Sequence, residues 1–527
     1  MNPFDSLRSL RAGFAIALWG ILSIATAASA QSHSADPGTC ARLAASLTLS
    51  HTTVTAVQPV AAGQFVPPDA NAAAKQAAAG LPAFCRVSLK IAPSADSDIT
   101  SEVWLPLSGW NGKFQQVGNG GWGGSIQYAA LGDALRRGYA AASTDTGHVG
   151  DSAQFALGHP EKLIDFGYRA VHETATQSKS VISAFYGNAP RLSYFVGCSG
   201  GGRQAFMEAQ RFPADFDGIV AGAPGYNRTD QSFQLVSSWQ ATHADSASYI
   251  PASKLPLIHA AAVKACDAND GTVDGLIGDP MRCKFDPQIL ACKAGDASDC
   301  LTGEQVAAAK KIYSPVVDPR TGKEVFPGDE PGSEPRWTIN AGGAKPLGMS
   351  DDLFKFVVFS DPQFDARSLD VAKHLEAGRK ADGGTIGATS PNVRPFIDRG
   401  GKLIIYHGWG DTNVPPRSSV NYFKALNDTL GAQPVEQAVR LYMVPGMGHC
   451  GGGEGPNTFD MVTALEQWRE HGAAPRDVLA SKITNGKVER TRPLCPFPEI
   501  ARYKGTGSID EAVNFTCSAP VAVPATR

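Results

Sequence analysis

Short, nearly unbroken apolar runs alternate along this chain with longer stretches in which apolar residues return every third or fourth position. The first kind suits buried strands and the second amphipathic helices. Residues 31 to about 100 read as short strands, among them 84–91. Residues 103–107, 113–117 and 139–144 read as further strands, and 165–186 as a long helix. Strand 192–196 leads into helix 203–211, and 218–221 is the next strand. This alternation predicts an α/β architecture with a mainly parallel sheet. After Ala223-Pro-Gly225 the pattern lapses. From about 226 to 395 there are few β runs, four cysteines, an acidic loop, several prolines and scattered aromatics. It resumes with strand 402–406, helix 421–430 and strand 439–444. A sheet that stops and resumes implies that its middle was inserted.

The chemistry concentrates where strand 192–196 runs into Gly197-Cys198-Ser199-Gly200-Gly201. Strand, G-x-S-x-G and helix is the setting of a nucleophile elbow. Glycines at 197 and 201 let the backbone through a turn too sharp for side chains on both flanks. Ser199 would present its Oγ at the top of the sheet, and the Gly200 N–H would point where an oxyanion forms. A serine hydroxyl needs an imidazole to take its proton and an acid to orient that imidazole. α/β-Hydrolases place them downstream in the order Ser, Asp or Glu, His. Strand 402–406 leads into His407-Gly-Trp-Gly-Asp411, and strand 439–444 into Pro445-Gly-Met-Gly-His449. The expected triad is Ser199, Asp411 and His449, with Asp145, His148 and His407 as competitors. The expected fold is therefore an α/β-hydrolase. Residues 31–225 and 396–527 form its catalytic domain, and 226–395 a large inserted lid domain.

Composition narrows the picture. The chain has 527 residues, is 43% hydrophobic and 18% charged, and carries a formal net charge of -3, which gives no footprint for nucleic acid. Arg8 and Arg11 precede an apolar stretch, 12–27, and Ala28-Ser29-Ala30 completes a signal peptide over residues 1–30, with Gln31 as first mature residue. Nothing later is apolar enough to span a membrane, so a secreted or periplasmic protein is expected. Ten cysteines, an even count, argue for disulfides in such a compartment. None forms a zinc pattern. Cys198 precedes the nucleophile and Cys450 follows the base; a bridge between them would draw Ser199 and His449 together. Sequons at Asn227, Asn427 and Asn514 would carry glycans only along a eukaryotic secretory route.

Gly197-Cys-Ser-Gly-Gly-Gly202, Asp411, Val444-Pro-Gly-Met-Gly-His-Cys450, Asp217-Gly-Ile-Val-Ala-Gly-Ala-Pro-Gly225 and Arg492-Pro-Leu-Cys-Pro-Phe-Pro498 together resemble the tannase and feruloyl esterase family. That family carries a Cys-Ser/Asp/His-Cys arrangement with the flanking cysteines bonded. The resemblance implies a serine esterase acting on small esters of phenolic acids, such as plants supply, with no organic cofactor and no obligate protein partner. It also implies the remaining pairs Cys40–Cys85, Cys266–Cys283, Cys292–Cys300 and Cys495–Cys517. It puts the second oxyanion donor near Asn119, in the Gly-rich loop 118–124. No Lys-Ser/Thr follows that loop, so it is not a P-loop.

Cys266-Asp-Ala-Asn-Asp-Gly-Thr-Val-Asp-Gly-Leu276 is a second chemical motif. Carboxylates and carbonyls in a turning loop suit Ca²⁺, though the spacing is not that of an EF-hand and an acidic solvated turn would look alike. The resemblance implies structural calcium in the lid, held by side chains of Asp267, Asp270 and Asp274 and carbonyls of Thr272 and Leu276. Trp337, Phe354, Phe356 and Phe359 are candidates for an aromatic acyl pocket. A family relative that hydrolyses mono(2-hydroxyethyl) terephthalate uses a lid arginine for the substrate's carboxylate. Between Trp337 and Arg367 this chain offers only Lys345 and Lys355, and a lysine does not reproduce the bidentate fork. That substrate ranks below feruloyl and galloyl esters. A non-catalytic binding protein on a hydrolase scaffold would lack a triad member, and none is missing.

Overall fold

The computed structural model describes residues 37–68 and 72–520. The expected signal peptide lies outside the described residues. Nine strands form the main sheet: β1 (Thr52–Val60), β2 (Phe84–Ile91), β3 (Ile99–Pro106), β4 (Lys113–Val117), β5 (Ala140–Thr144), β6 (Leu192–Cys198), β7 (Gly218–Gly222), β8 (Lys402–Gly408) and β9 (Val439–Val444). Their spatial order is β1-β2-β3-β5-β4-β6-β7-β8-β9. The pairs from β1 to β5 are antiparallel. From β5 to β9 every neighbouring pair is parallel.

In the parallel half, consecutive residues enter opposite layers. Phe195, Ile219, Ile405 and Leu441 join one hydrophobic core; Tyr194, Val220, Ile404 and Tyr442 join the other. Helices Ala170–Tyr186, Gly200–Arg211 and Arg417–Leu430 cover the first face with Val181, Phe206 and Leu426. Helices Tyr128–Arg136 and Met461–His471 cover the second with Leu135 and Trp468. Each such side chain, fully buried, stabilises the fold by about 1.5–3 kcal/mol relative to exposure. Burial on both faces explains why β7 and the centre of β8 read as continuous apolar runs.

The expectation of strands throughout 31–100 is corrected by helices Pro37–Ser46 and Ala72–Ala79. The second is a run of alanines, the best helix formers, which hydrophobic periodicity does not distinguish. The long helix begins earlier than expected, with Pro160–Ile164 and one wide turn, Asp165–Arg169. Past β9, helix Met461–His471 and the hairpins Val478–Thr484/Lys487–Leu494 and Ile500–Tyr503/Phe515–Ser518 complete the chain.

Between β7 and β8 the chain adds no strand to the main sheet. It forms helices Arg228–His243, Leu255–Cys266, Gly303–Tyr313 and Val371–Asp382, among shorter turns. Ile258, Ile312 and Trp337 make one hydrophobic cluster of this segment, and Phe233, Trp239 and Phe354 another. All five disulfides implied by the resemblance are formed: Cys40–Cys85, Cys198–Cys450, Cys266–Cys283, Cys292–Cys300 and Cys495–Cys517. No helix among the described residues is long and apolar enough to cross a membrane.

Candidate active site

Ser199 sits between β6 and helix Gly200–Arg211 with φ 62° and ψ -118°. A positive φ on a serine is strained backbone, held here because Ser199 N–H donates to Gly222 O (2.9 Å). The glycines around it answer to close approach. A Cβ on Gly197 would lie 2.7 Å from the Gly201 backbone, and one on Gly118 would lie 2.7 Å from Gly201 Cα. Gly200 opens the helix, so its N–H has no carbonyl one turn back to receive it.

Asp411 follows β8 and His449 follows β9. Their loops are joined by backbone: Trp409 N–H donates to Val444 O (2.9 Å) and Gly410 N–H to Met447 O (2.8 Å). His449 Nδ1 donates to Asp411 Oδ2 at 2.6 Å. The other carboxylate oxygen, Oδ1, accepts the N–H of Asn413 (2.8 Å) and Val414 (3.1 Å). Burial of Asp411 opposes its charge, but the nearby His449 and the bonds from His407 and His449 outweigh that and hold the carboxyl well below the usual range. For His449, burial again opposes charge, and Asp411 outweighs it, so the imidazole is raised above an ordinary histidine. The Cys198–Cys450 bridge, with Cα atoms 6.0 Å apart, ties the residue before Ser199 to the residue after His449. The structure thus brings Asp411 and His449 into direct contact and ties the chain neighbours of Ser199 and His449 together by a disulfide. The Ser199 hydroxyl makes no hydrogen bond among the described residues.

The competitors fall away by position. Asp145 Oδ1 accepts the N–H of Thr100 and Gly147 (both 2.9 Å) and so shapes the turn after β5. His148 stacks on Phe155 at 3.7 Å, and burial pushes its imidazole down to about 4. His407 is fully buried behind Asp411.

Asn119 is a correction. Its N–H donates to Gln204 Oε1 (2.9 Å), and its side-chain amide to the carbonyls of Gly123, Ser125 and Thr144 (2.9, 3.0 and 2.7 Å). Asn119 shapes the Gly-rich loop and has no N–H left for an oxyanion. The N–H groups of Gly120 and Gly121 have no partner among the described residues. The backbone of this stretch lies against Gly200, where an added Cβ would meet Gly121 O at 3.2 Å and Gly120 C at 3.4 Å.

Of the four lid aromatics, Trp337 and Phe354 are core residues of the inserted segment, 2% and 0% exposed. Phe359 packs against Phe364, ring centroids 4.4 Å apart, in the same cluster as Phe354. Phe356 packs instead with Trp122 of the Gly-rich loop. The pocket expected from Trp337, Phe354 and Phe359 is thus corrected: these rings fill the inserted segment. Arg336 is a further residue at these loops, one the pattern of apolar runs does not mark. A Cβ on Gly448 would lie 2.5 Å from Arg336 Nε, and one on Gly410 2.9 Å from its Nη1. The guanidinium therefore lies across both loops that carry Asp411 and His449. The signal for it was the set of glycines at 410, 448 and 453, which leave room for another segment's side chain.

In the acidic loop, Asp267 accepts the N–H of Asp274 (3.1 Å) and Gly275 (2.9 Å), and Asp270 that of Thr272 (2.9 Å). Arg492 Nη2 pairs with Asp274 Oδ2. Asp270, Thr272, Asp274 and Leu276 line one cavity of about 50 Å³. Burial, with Asp274 and Asp267 adding to it, pushes Asp270 up to about 7. The donors are hard oxygens, as calcium requires. Among the described residues, however, no three carboxylate, imidazole or thiolate groups converge as a metal cluster.

The sequence from 85 to 518 matches the family model described as tannase and feruloyl esterase. The chain belongs to that family. It is 40% identical to an uncharacterized esterase of Xanthomonas campestris pv. campestris over 91% of each chain. It is 34% identical to a probable feruloyl esterase B-1 of Aspergillus fumigatus, over 82% of this chain and 85% of the relative. The crystal structure of feruloyl esterase B from Aspergillus oryzae superposes with a TM-score of 0.86 at 29% identity, covering 92% of this chain and all of that one. Tannin acyl hydrolase from Aspergillus niger shares the fold, with a TM-score of 0.75 at 22% identity over 91% of this chain and 95% of that one. The α/β-hydrolase architecture expected from the elbow is the one observed.

Proposed function

We propose that this protein is a secreted serine carboxylic-ester hydrolase that cleaves feruloyl or galloyl esters through an acyl-enzyme. The observation that carries the reading is the Asp411–His449 pair, held to the strained Ser199 elbow by the flanking Cys198–Cys450 bridge, in a chain of this family. His449 accepts the Ser199 proton as Oγ attacks the ester carbonyl, and Asp411 stabilises the imidazolium that forms. The N–H groups of Gly200 and of the 120–121 stretch stabilise the oxyanion. His449 then returns the proton to the departing alcohol, and water repeats the sequence on the acyl-enzyme. Export rests on the N-terminal pattern and on the bridging of every cysteine, which suits an oxidising compartment.

A terephthalate monoester remains the lower-ranked substrate. Lys355 is already paired with Asp351 at 2.5 Å, and Arg336 is turned toward the catalytic loops, where its Nη2 lies 3.3 Å from Glu454. Aromatic acyl esters are expected to be cleaved faster than long aliphatic ones, by about tenfold or more, the scale of a few pocket methylenes. Comparing methyl ferulate, methyl gallate, a terephthalate monoester and p-nitrophenyl octanoate tests this. Faster turnover of the octanoate than of both phenolic esters sinks the substrate assignment.

The same reading includes a structural calcium ion at Asp267, Asp270 and Asp274 with the Thr272 and Leu276 carbonyls. Supporting it are the shared cavity and the hard-oxygen donor set. An ion bound only by the folded chain stabilises it by mass action, by about 2.7 kcal/mol at a hundredfold excess over Kd. Chelation is therefore expected to lower Tm, and added calcium to restore it. Metal analysis without calcium, together with a Tm indifferent to chelator and calcium alike, removes the ion from the protein.

A further inference from the structure

Asp411 serves two imidazoles. Oδ2 accepts His449 Nδ1–H at 2.6 Å and also faces His407 Nε2 at 3.0 Å. His407 is 0% exposed, as are Asp411 and Ser419. Its Nε2 also faces Val414 O at 2.9 Å, and its Nδ1 lies 2.7 Å from Ser419 Oγ. Both neighbours of Nε2 are acceptors only, so Nε2 carries the proton. Ser419 Oγ is the partner of Nδ1 and fixes the ring from its other side. His407 has no path to substrate: it is fully buried and held between Asp411 and Ser419, where β8 meets helix Arg417–Leu430.

We propose that His407 is a positioning residue for the hydrolysis read above, one that shares the carboxylate oxygen used by His449 and thereby limits how strongly Asp411 binds the imidazolium. A carboxylate oxygen holding two N–H donors offers each less than it would offer one alone. Deleting the His407 donor leaves Asp411 to His449. The imidazolium is then favoured, and more protons must leave before His449 can act as base. The other titratable and charged groups toward this pair are Asp329 and Arg336 of the inserted segment, with Glu454 of the loop after β9 paired to Arg336; burial, with the Asp411 charge adding to it, holds the Asp329 carboxyl well above the usual range. None of them makes a hydrogen bond to either member of the pair, so all stay in place in a His407 variant. The Ser419–His407 link gives the ring its orientation, and through it the register of the turn 408–414, where Val414 N–H donates to Asp411 and Val414 O accepts from His407.

The test is the pH profile of kcat/KM on p-nitrophenyl acetate, an activated ester that reports the triad without asking for a phenolic acyl group. Wild-type turnover of this ester with no preference for ferulate or gallate would fail the substrate assignment and leave this test intact. In His407→Leu the acid limb should move up by about 0.5–1 pH unit, the scale of one hydrogen bond to a charged group spread over two partners. His407→Gln returns an N–H to the position of Nε2 and should keep the limb within about 0.3 unit of wild type. Ser419→Ala should move it in the same direction as leucine, by less. A folded His407→Leu whose activity falls equally at all pH, with the limb unmoved, overturns the proposal. If the leucine variant is not recovered folded, Ser419→Ala decides: an upward limb supports the sharing, and a limb at the wild-type position overturns it.

Discussion

Ser199→Ala is expected to remove esterase activity on every substrate, by about 10⁴–10⁶ in kcat, while leaving the fold unchanged. The size follows from the chemistry: without Oγ no acyl-enzyme forms, and only the oxyanion donors and binding remain. The intact fold follows from the geometry. The hydroxyl has no hydrogen-bond partner among the described residues, so its loss orphans no buried group. Alanine at φ 62° is no more strained than serine, since both carry a Cβ. The measurement is kcat on p-nitrophenyl acetate and methyl ferulate beside a thermal melt. An alanine variant that melts with wild type and keeps more than about 5% of its turnover would take the nucleophile's role from Ser199.

Much of this site was legible because its chemistry is tied to strand ends. Strands at 84–91, 113–117 and 439–444 have the bounds expected for them; 84–91 alternates buried and half-buried positions along its length, and Leu441 to Val444 is an apolar run buried on both faces. Asp411 and His449 could be named because each follows such a strand in the order the fold demands. What stayed hidden depends on hydrogen bonds and shapes that the sequence does not print. Asn119 looked available as a donor; only the placement of Gln204, many residues away, shows its N–H taken. That leaves Gly120 and Gly121 with the unpartnered N–H groups of the loop among the described residues. Trp337 and Phe354 looked like pocket aromatics because large rings serve cores and pockets equally well. The C-terminal hairpins escaped because their strands keep one exposed face, with Leu479, Ile483 and Val488 outward, and so show no continuous apolar run. Arg336 was invisible for a different reason: an arginine beside an aromatic is ordinary in sequence. Its meaning comes from three glycines on another segment that make room for it.

Removing the Cys198–Cys450 bridge is expected to cost more in catalysis than in stability. Backbone hydrogen bonds hold the Asp411 and His449 loops to each other without it. No hydrogen bond joins the Ser199 side chain to either one, so the disulfide is the tether that sets where the nucleophile stands relative to its base. A misplacement of about 1 Å can cost about 100-fold in rate. Cys198→Ala/Cys450→Ala should therefore lose about that much in kcat, with KM changed far less, because binding surfaces away from the pair are untouched. The bridge closes a loop with a sequence separation of 252, and chain-entropy models would assign it several kcal/mol. Against that, β6, β7, β8 and β9 are paired side by side in the sheet, and four other disulfides remain. The folded state thus keeps its framework, and a modest fall in Tm is expected with the variant still exported. Peptide mapping without reductant should recover the 198–450 pair from wild type. A double variant with wild-type turnover would show that the sheet alone places Ser199 and His449, and would strip the bridge of its catalytic part.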